Sequence, residues 1–136
     1  MNLTWAYDRG DYRDSHETAV TDPRELEKVL HDIQEQREPV VVTIYADAPV
    51  DPDDLPPGLQ IGLGHAEHAF AVHITEDGGY LADPQVSPPP RPISFDVAGV
   101  PTEVPPEHLT LRPDSAVSAA LAFLASNGQS AGFRAA

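Results

Sequence analysis

Residues 21–46 read TDPRELEKVLHDIQEQREPVVVTIYA, a capped amphipathic helix that runs into a strand, and this junction decides the class of fold. Asp22 is a residue type whose carboxylate satisfies the orphan N–H groups of a helix start, Pro23 fits the first helical position, and Glu25 completes a capping box. Leu26, Val29, Leu30 and Ile33 then fall on one helical face, with Glu27, Lys28, His31, Asp32, Glu35 and Gln36 opposite, so the helix packs on one side only. Pro39 ends it. The β-branched run Val40-Val41-Val42-Thr43-Ile44-Tyr45-Ala46 is nearly continuous in apolar residues, which predicts a central strand covered on both faces.

Toward the N-terminus, Leu3, Trp5 and Tyr7 alternate with polar or small neighbours, the pattern of a strand with one buried face. Tryptophan is also favoured at interface centres, but the alternation places Trp5 in the core. The polar stretch Asp8 to Glu17 reads as a solvated loop, followed by a short strand at Thr18-Ala19-Val20. Toward the C-terminus, residues 47–57 carry Asp47, Asp51, Asp53 and Asp54 among four prolines, which excludes regular structure and gives a stiff, exposed, negative loop. Leu59 to Gly64 and Ala69 to Thr75 read as strands, and Asp77-Gly78-Gly79 as a turn into Tyr80-Leu81-Ala82. The pieces Ile93 to Val97 and His108 to Leu111 flank a proline-rich connection from Pro101 to Pro106 and read as late or edge strands. A last helix starts at Pro113-Asp114-Ser115 and stops at Asn127-Gly128, with Val117, Ala120, Leu121 and Leu124 on its apolar face. The order predicts an α+β fold, a mostly antiparallel sheet with two main helices on one face, as a single domain over 1–136 with 129–136 a flexible tail.

A chain of 136 residues with 40% apolar content is long enough to close one core. It carries 22 acidic against 8 basic residues, a net charge of −14, which repels phosphate backbones and anionic membranes and speeds encounter with basic surfaces. Direct nucleic-acid and membrane binding are therefore not expected. Solubility alone is the simplest reading of that charge. The absence of cysteine removes disulfides, thiolate metal sites and a cysteine nucleophile, and fits a reducing compartment. The N-terminus lacks a basic region followed by an apolar stretch, and no apolar run is long enough to span a bilayer, so the expected location is cytoplasmic.

No catalytic constellation emerges from the motifs. His65-Ala66-Glu67-His68, with His73 nearby, offers three imidazoles and a carboxylate, but zinc ligands want spacings of four on a helix or two on a strand, and His65 and His68 are three apart at a turn. Turn and sheet-surface histidines are the better reading, with no metal and no cofactor. A zinc deaminase would need a Pro-Cys-x-x-Cys segment, which a cysteine-free chain cannot supply. No Gly-x-Ser-x-Gly elbow is present, and the glycines at 58, 62 and 64 match neither a phosphate loop nor a dinucleotide fingerprint. The pairs Asp53-Asp54 and Glu76-Asp77 lie in polar turns where nothing desolvates one acid to make it a proton donor. The chain is expected to bind rather than catalyse.

An N-terminal strand with a tryptophan, the helix start Thr21-Asp22-Pro23-Arg24-Glu25-Leu26, a valine-rich strand and the strand Leu59-Gln60-Ile61-Gly62-Leu63-Gly64 come in a recognisable order. With Gly99-Val100-Pro101-Thr102-Glu103-Val104-Pro105 leading into a helix that ends at Asn127-Gly128, the layout resembles the first-numbered (Imm-one) immunity-protein family of bacterial polymorphic toxin systems. The resemblance implies an α+β fold and neutralisation of a toxin encoded alongside, often one carrying a nucleic-acid deaminase domain. The proline-rich segment Val86 to Pro92 and the finish around Phe133 depart from that layout.

A toxin that acts on DNA or RNA holds a phosphate backbone in a basic groove, so fixed carboxylates on an inhibitor are steered there and compete with substrate. Asp47, Asp51, Asp53 and Asp54 are the candidate contact residues, since proline stiffness lowers the ordering cost of their loop; Asp11 and Asp14 are a secondary pair. Two other classes stand against this reading. One is an acidic adaptor or secretion chaperone with no toxin partner; the other is a small metalloenzyme using His65, His68 and His73.

Overall fold

The Asp22 carboxylate accepts a hydrogen bond from the Arg24 N–H at 2.8 Å, and the helix α1 runs from Pro23 to Glu35. Its cap bond is thus made at the second helical position. Leu26, Leu30 and Ile33 are buried and Val29 packs against the same cluster, the face set by the sequence period. The chain leaves α1 through Arg37, whose φ of 58° is the left-handed conformation that ends a helix, and Pro39 then leads into the next strand.

The computed structural model describes residues 2–6, 15–45, 58–74 and 79–125. Strands β1 (Asn2–Ala6), β2 (Ser15–Ala19), β3 (Val40–Tyr45), β4 (Gly58–Leu63) and β5 (Phe70–Ile74) form an antiparallel sheet in the order β2-β1-β3-β4-β5. β6 (Ile93–Val97) joins β3 in parallel at Val40 and Asp96, where the Asp96 N–H donates to Pro39 O at 3.0 Å, and β7 (Val100–Val104) pairs antiparallel with β6. The second helix, α2, spans Pro113–Ala125. The fold is α+β, a largely antiparallel seven-stranded sheet with two helices.

Both helices pack on one face of the sheet. Leu26, Leu30 and Ile33 of α1 and Val117, Ala120 and Phe123 of α2 share one core with Leu3, Val40, Val42, Ile44, Leu59, Ile61 and Leu63. On the other face Val41, Phe70, Phe95, Val104 and Leu109 make a smaller cluster, so β3 is covered on both sides over Val40–Val42, while Thr43 is partly buried and Tyr45 exposed. Phe70 meets Phe95 edge to face at 5.3 Å and Tyr80 at 5.8 Å, and Tyr80 stacks on His108 at 3.8 Å. Gly62 lies directly beneath: an added Cβ would overlap the Phe70 ring and come within 2.9 Å of Phe95.

Several sequence expectations change. β2 begins at Ser15, inside the stretch expected to be solvated loop, because the backbone pairing of an edge strand does not need apolar side chains; His16 and Glu17 are exposed. The Pro101-to-Pro106 connection is β7 over most of its length, reached through a two-residue turn in which Ala98 and Gly99 have φ of 51° and 86°. That double positive φ matches the twist of a tight hairpin, and Pro101 is tolerated because β7 is an edge. His108 to Leu111 is not a strand: Pro106–His108 form a 3-10 turn, and Leu111 makes a single bridge to Ala69. The buried face of α2 includes Ala116, Ala119 and Phe123 besides Val117 and Ala120, while Leu121 and Leu124 are only partly buried. Trp5 is also only partly buried, stacked on His16 at 5.1 Å on the helix-bearing side. After β5 the chain returns as expected, with Tyr80 bridging Val72 and the Leu81 N–H donating to Ala71 O at 2.8 Å. Asp77, Gly78, Asn127, Gly128 and the expected tail at 129–136 lie outside the described residues.

Because rings fill the space above Gly62, Gly62→Ala is expected to cost about 1–3 kcal/mol through overpacking. Urea titration measures this directly, and an unchanged midpoint would mean that the rings do not rest on that glycine.

Candidate functional site

Strand register sorts the sheet face opposite the helices into three rows. Val41, Gly62 and Phe70 are buried beneath Phe95. Thr4, Thr43, Gln60 and Val72 form the next row, all partly buried, with the Gln60 amide donating to Thr43 Oγ1 at 3.4 Å. In the last row are Asn2, Tyr45, Gly58 and Ile74, and here Tyr45 and Ile74 are 36% and 37% exposed. One half of the face is therefore sealed by the β6–β7 hairpin, and on the other half, among the described residues, Tyr45 and Ile74 stay partly exposed.

Asp47, Asp51, Asp53 and Asp54, and likewise Asp11 and Asp14, lie outside the described residues. Their chain roots are described. Residues 46–57 leave from Tyr45 and return at Gly58, on the half with Tyr45 and Ile74, whereas residues 7–14 leave from Ala6 and return at Ser15. Since β1 runs antiparallel to β3 with Asn2 opposite Tyr45, Ala6 and Ser15 sit at the other end of the sheet. The two acidic segments are thus rooted at opposite ends. Residues 75–78, with Glu76 and Asp77, follow Ile74 and share the root of the 46–57 segment.

The histidines have separate structural roles. His65 Nδ1 accepts from the Glu67 N–H at 3.2 Å and the His68 N–H at 3.1 Å, closing the turn between β4 and β5 as an asparagine side chain would. His68 Nδ1 lies 3.2 Å from Leu109 O, and because a carbonyl only accepts, that nitrogen carries the proton. His73 is on the helix-bearing face, its ring 6.3 Å from that of Phe123. Gln34 ties the same turn to α1, accepting from the Gly64 N–H and donating to His65 O, each at 2.7 Å. Among the described residues no group of three His, Cys, Asp or Glu side chains is placed to hold a metal ion. An open cleft beside His68, bordered by Gln34, Glu67, Ser87, Arg112, Asp114 and Pro88–Pro90, mixes both signs of charge.

Tyr45 and Ile74 were not among the sequence candidates. That Tyr45 lies opposite Gly58, and Gly58 opposite Ile74, follows from strand register, which the sequence alone did not give.

Burial, and secondarily the neighbouring His68, push the His65 pKa below the ordinary 6.5, with Glu67 opposing; burial also lowers His73. For such groups the unfolded chain binds more protons, so the stability they contribute is present above pH 6.5 and is lost as pH falls toward their folded-state values. His65→Asn keeps the turn acceptor and removes the titration. Its melting temperature is expected to fall less steeply than wild type between about pH 6.5 and 5 while matching it at pH 8. Parallel melting curves would contradict the role of the imidazole.

A protein-family model described as "Immunity protein Imm1" matches residues 14–130. No curated protein and no solved structure matches the chain.

Proposed function

The chain belongs to the Imm1 immunity-protein family, and from that premise we propose that it binds and neutralises a nucleic-acid deaminase toxin by occluding the toxin's basic substrate-binding surface. The family match is the observation that carries the reading, because it spans most of the chain and implies a toxin partner. The chemistry of the chain supplies the finer part. A net charge of −14 steers it toward a basic groove, where carboxylates of a segment rooted at one end of the sheet would compete with phosphates. Asp47, Asp51, Asp53 and Asp54 are the contact acids of this proposal. Asp11 and Asp14 play a lesser part, since their segment is rooted at the other end of the sheet.

The chain acts as a stoichiometric inhibitor in the cytoplasm, with no reaction, metal or cofactor of its own. His65, His68 and His73 support that view, being engaged in the turn between β4 and β5, with the Leu109 carbonyl and beside the Phe123 ring. No helix among the described residues is long and apolar enough to cross a membrane. An adaptor or secretion chaperone without a toxin partner is the alternative that the test must distinguish.

Co-expression with the toxin domain encoded by the adjacent gene is expected to restore growth and yield a one-to-one complex. Neither rescue nor complex would contradict the reading. Charge reversal at Asp51, Asp53 and Asp54 together is expected to slow association about tenfold or more at low salt, with the difference shrinking as salt is added and thermal stability nearly unchanged. Stopped-flow rates that do not change would remove that segment from the contact.

A further inference from the structure

The row Asn2, Tyr45, Gly58 and Ile74 crosses four strands at the partly exposed end of the sheet. An added Cβ at Gly58 would lie 2.9 Å from Ile74 Cδ1 and 3.3 Å from Tyr45 Cδ1, so the two large side chains close over the bare glycine from either side. They form one apolar surface. Yet both stay more than a third exposed, whereas the equivalent cover on Gly62, the Phe70 ring, is itself capped by Phe95 from the β6–β7 hairpin. Tyrosine and a branched aliphatic side by side on a rigid strand row are suited to an interface centre: they add contact area at a small cost in side-chain entropy.

Charge decides what sits on this patch. The segments 46–57 and 75–78, which leave the sheet from Tyr45, Gly58 and Ile74, carry Asp47, Asp51, Asp53, Asp54, Glu76 and Asp77 without one basic residue. A second copy of this chain would bring a net charge of −14 against an equal net charge of −14. A surface with an apolar centre and a lysine- and arginine-rich rim meets both features at once. Resting on the immunity reading above, we propose that Tyr45 and Ile74, closed over Gly58, are the apolar anchor on which the basic face of the toxin docks.

In this arrangement the acids govern how fast the partners meet and the anchor governs how long they stay together. Three variants of the full chain test it, each measured by binding kinetics against a catalytically inactive form of the neighbouring toxin. Tyr45→Thr and Ile74→Thr each leave a strand-favouring, β-branched residue at the position, and Ile74→Lys places a cation where a basic surface should arrive. Each threonine variant is expected to raise the dissociation rate about tenfold while leaving association within about twofold. Ile74→Lys should also slow association. Circular dichroism melting separates these effects from misfolding.

If wild type binds and all three folded variants dissociate at the wild-type rate, the anchor is elsewhere and this inference falls while the immunity reading stands. If wild type itself does not bind the toxin, both fall. A free wild-type chain that is dimeric at micromolar concentration, and monomeric as Tyr45→Thr, would assign the patch to a second copy and overturn the proposal.

Discussion

The packing of Phe95 against Phe70 over Gly62 is the constraint on which the rest of the molecule depends. A sheet flanked by helices on one side leaves its other face to be covered or wetted, and the valine run that opens β3, Val40–Val42, is buried on both. β1 pairs with β3 only between Asn2 and Thr4, and β6 pairs with β3 at the opposite end. From there the β6–β7 hairpin lays Phe95 and Val104 over Val41 and Phe70. The absence of a side chain at Gly62 lets these rings come down onto the backbone. One hairpin covers half a face, so Tyr45 and Ile74 remain exposed at the far end.

Much of this architecture was legible in the sequence, because several elements carry their own physical signature. Asp22 and Pro23 announced α1, its spacing announced the buried face, and the valine run announced a strand covered on both sides. The misses share a cause: local signals that tertiary pairing overrode. Pro101 reads as a breaker, yet an edge position and the Ala98-Gly99 turn make it a strand residue. His108 to Leu111 has strand-like alternation, but Pro105 and Pro106 start a 3-10 turn there. In α2, apolar residues nearly surround the helix, so periodicity could not show that Phe123 points to the core while Leu121 and Leu124 stay half-buried. The candidate site was legible only as charge. Composition located the acids along the chain, whereas the separation of their two roots, and the apolar row beside one of them, depend on strand register.

In the proposed reading, an acidic segment rooted at Tyr45 and Gly58 acts together with the apolar row beside that root. Carboxylates act over a distance of about a Debye length and set encounter, while an apolar centre acts on contact and sets lifetime. The same charge carries a cost, since a chain at −14 repels itself, and the apolar cores on both faces of β3 offset that repulsion. The histidines belong to this structural side, most clearly His65, whose imidazole replaces a side-chain amide as the acceptor of a turn.

Hydrogen exchange of the chain, free and bound to the neighbouring toxin domain, tests the central claim most directly because it reports which side of the sheet is covered. The account predicts new protection in the ends of β3 and β5 and the start of β4, around Tyr45, Ile74 and Gly58, with α1 and α2 unchanged. Protection confined to the helices, with the half of the sheet around Tyr45 and Ile74 exchanging as in the free chain, would contradict it.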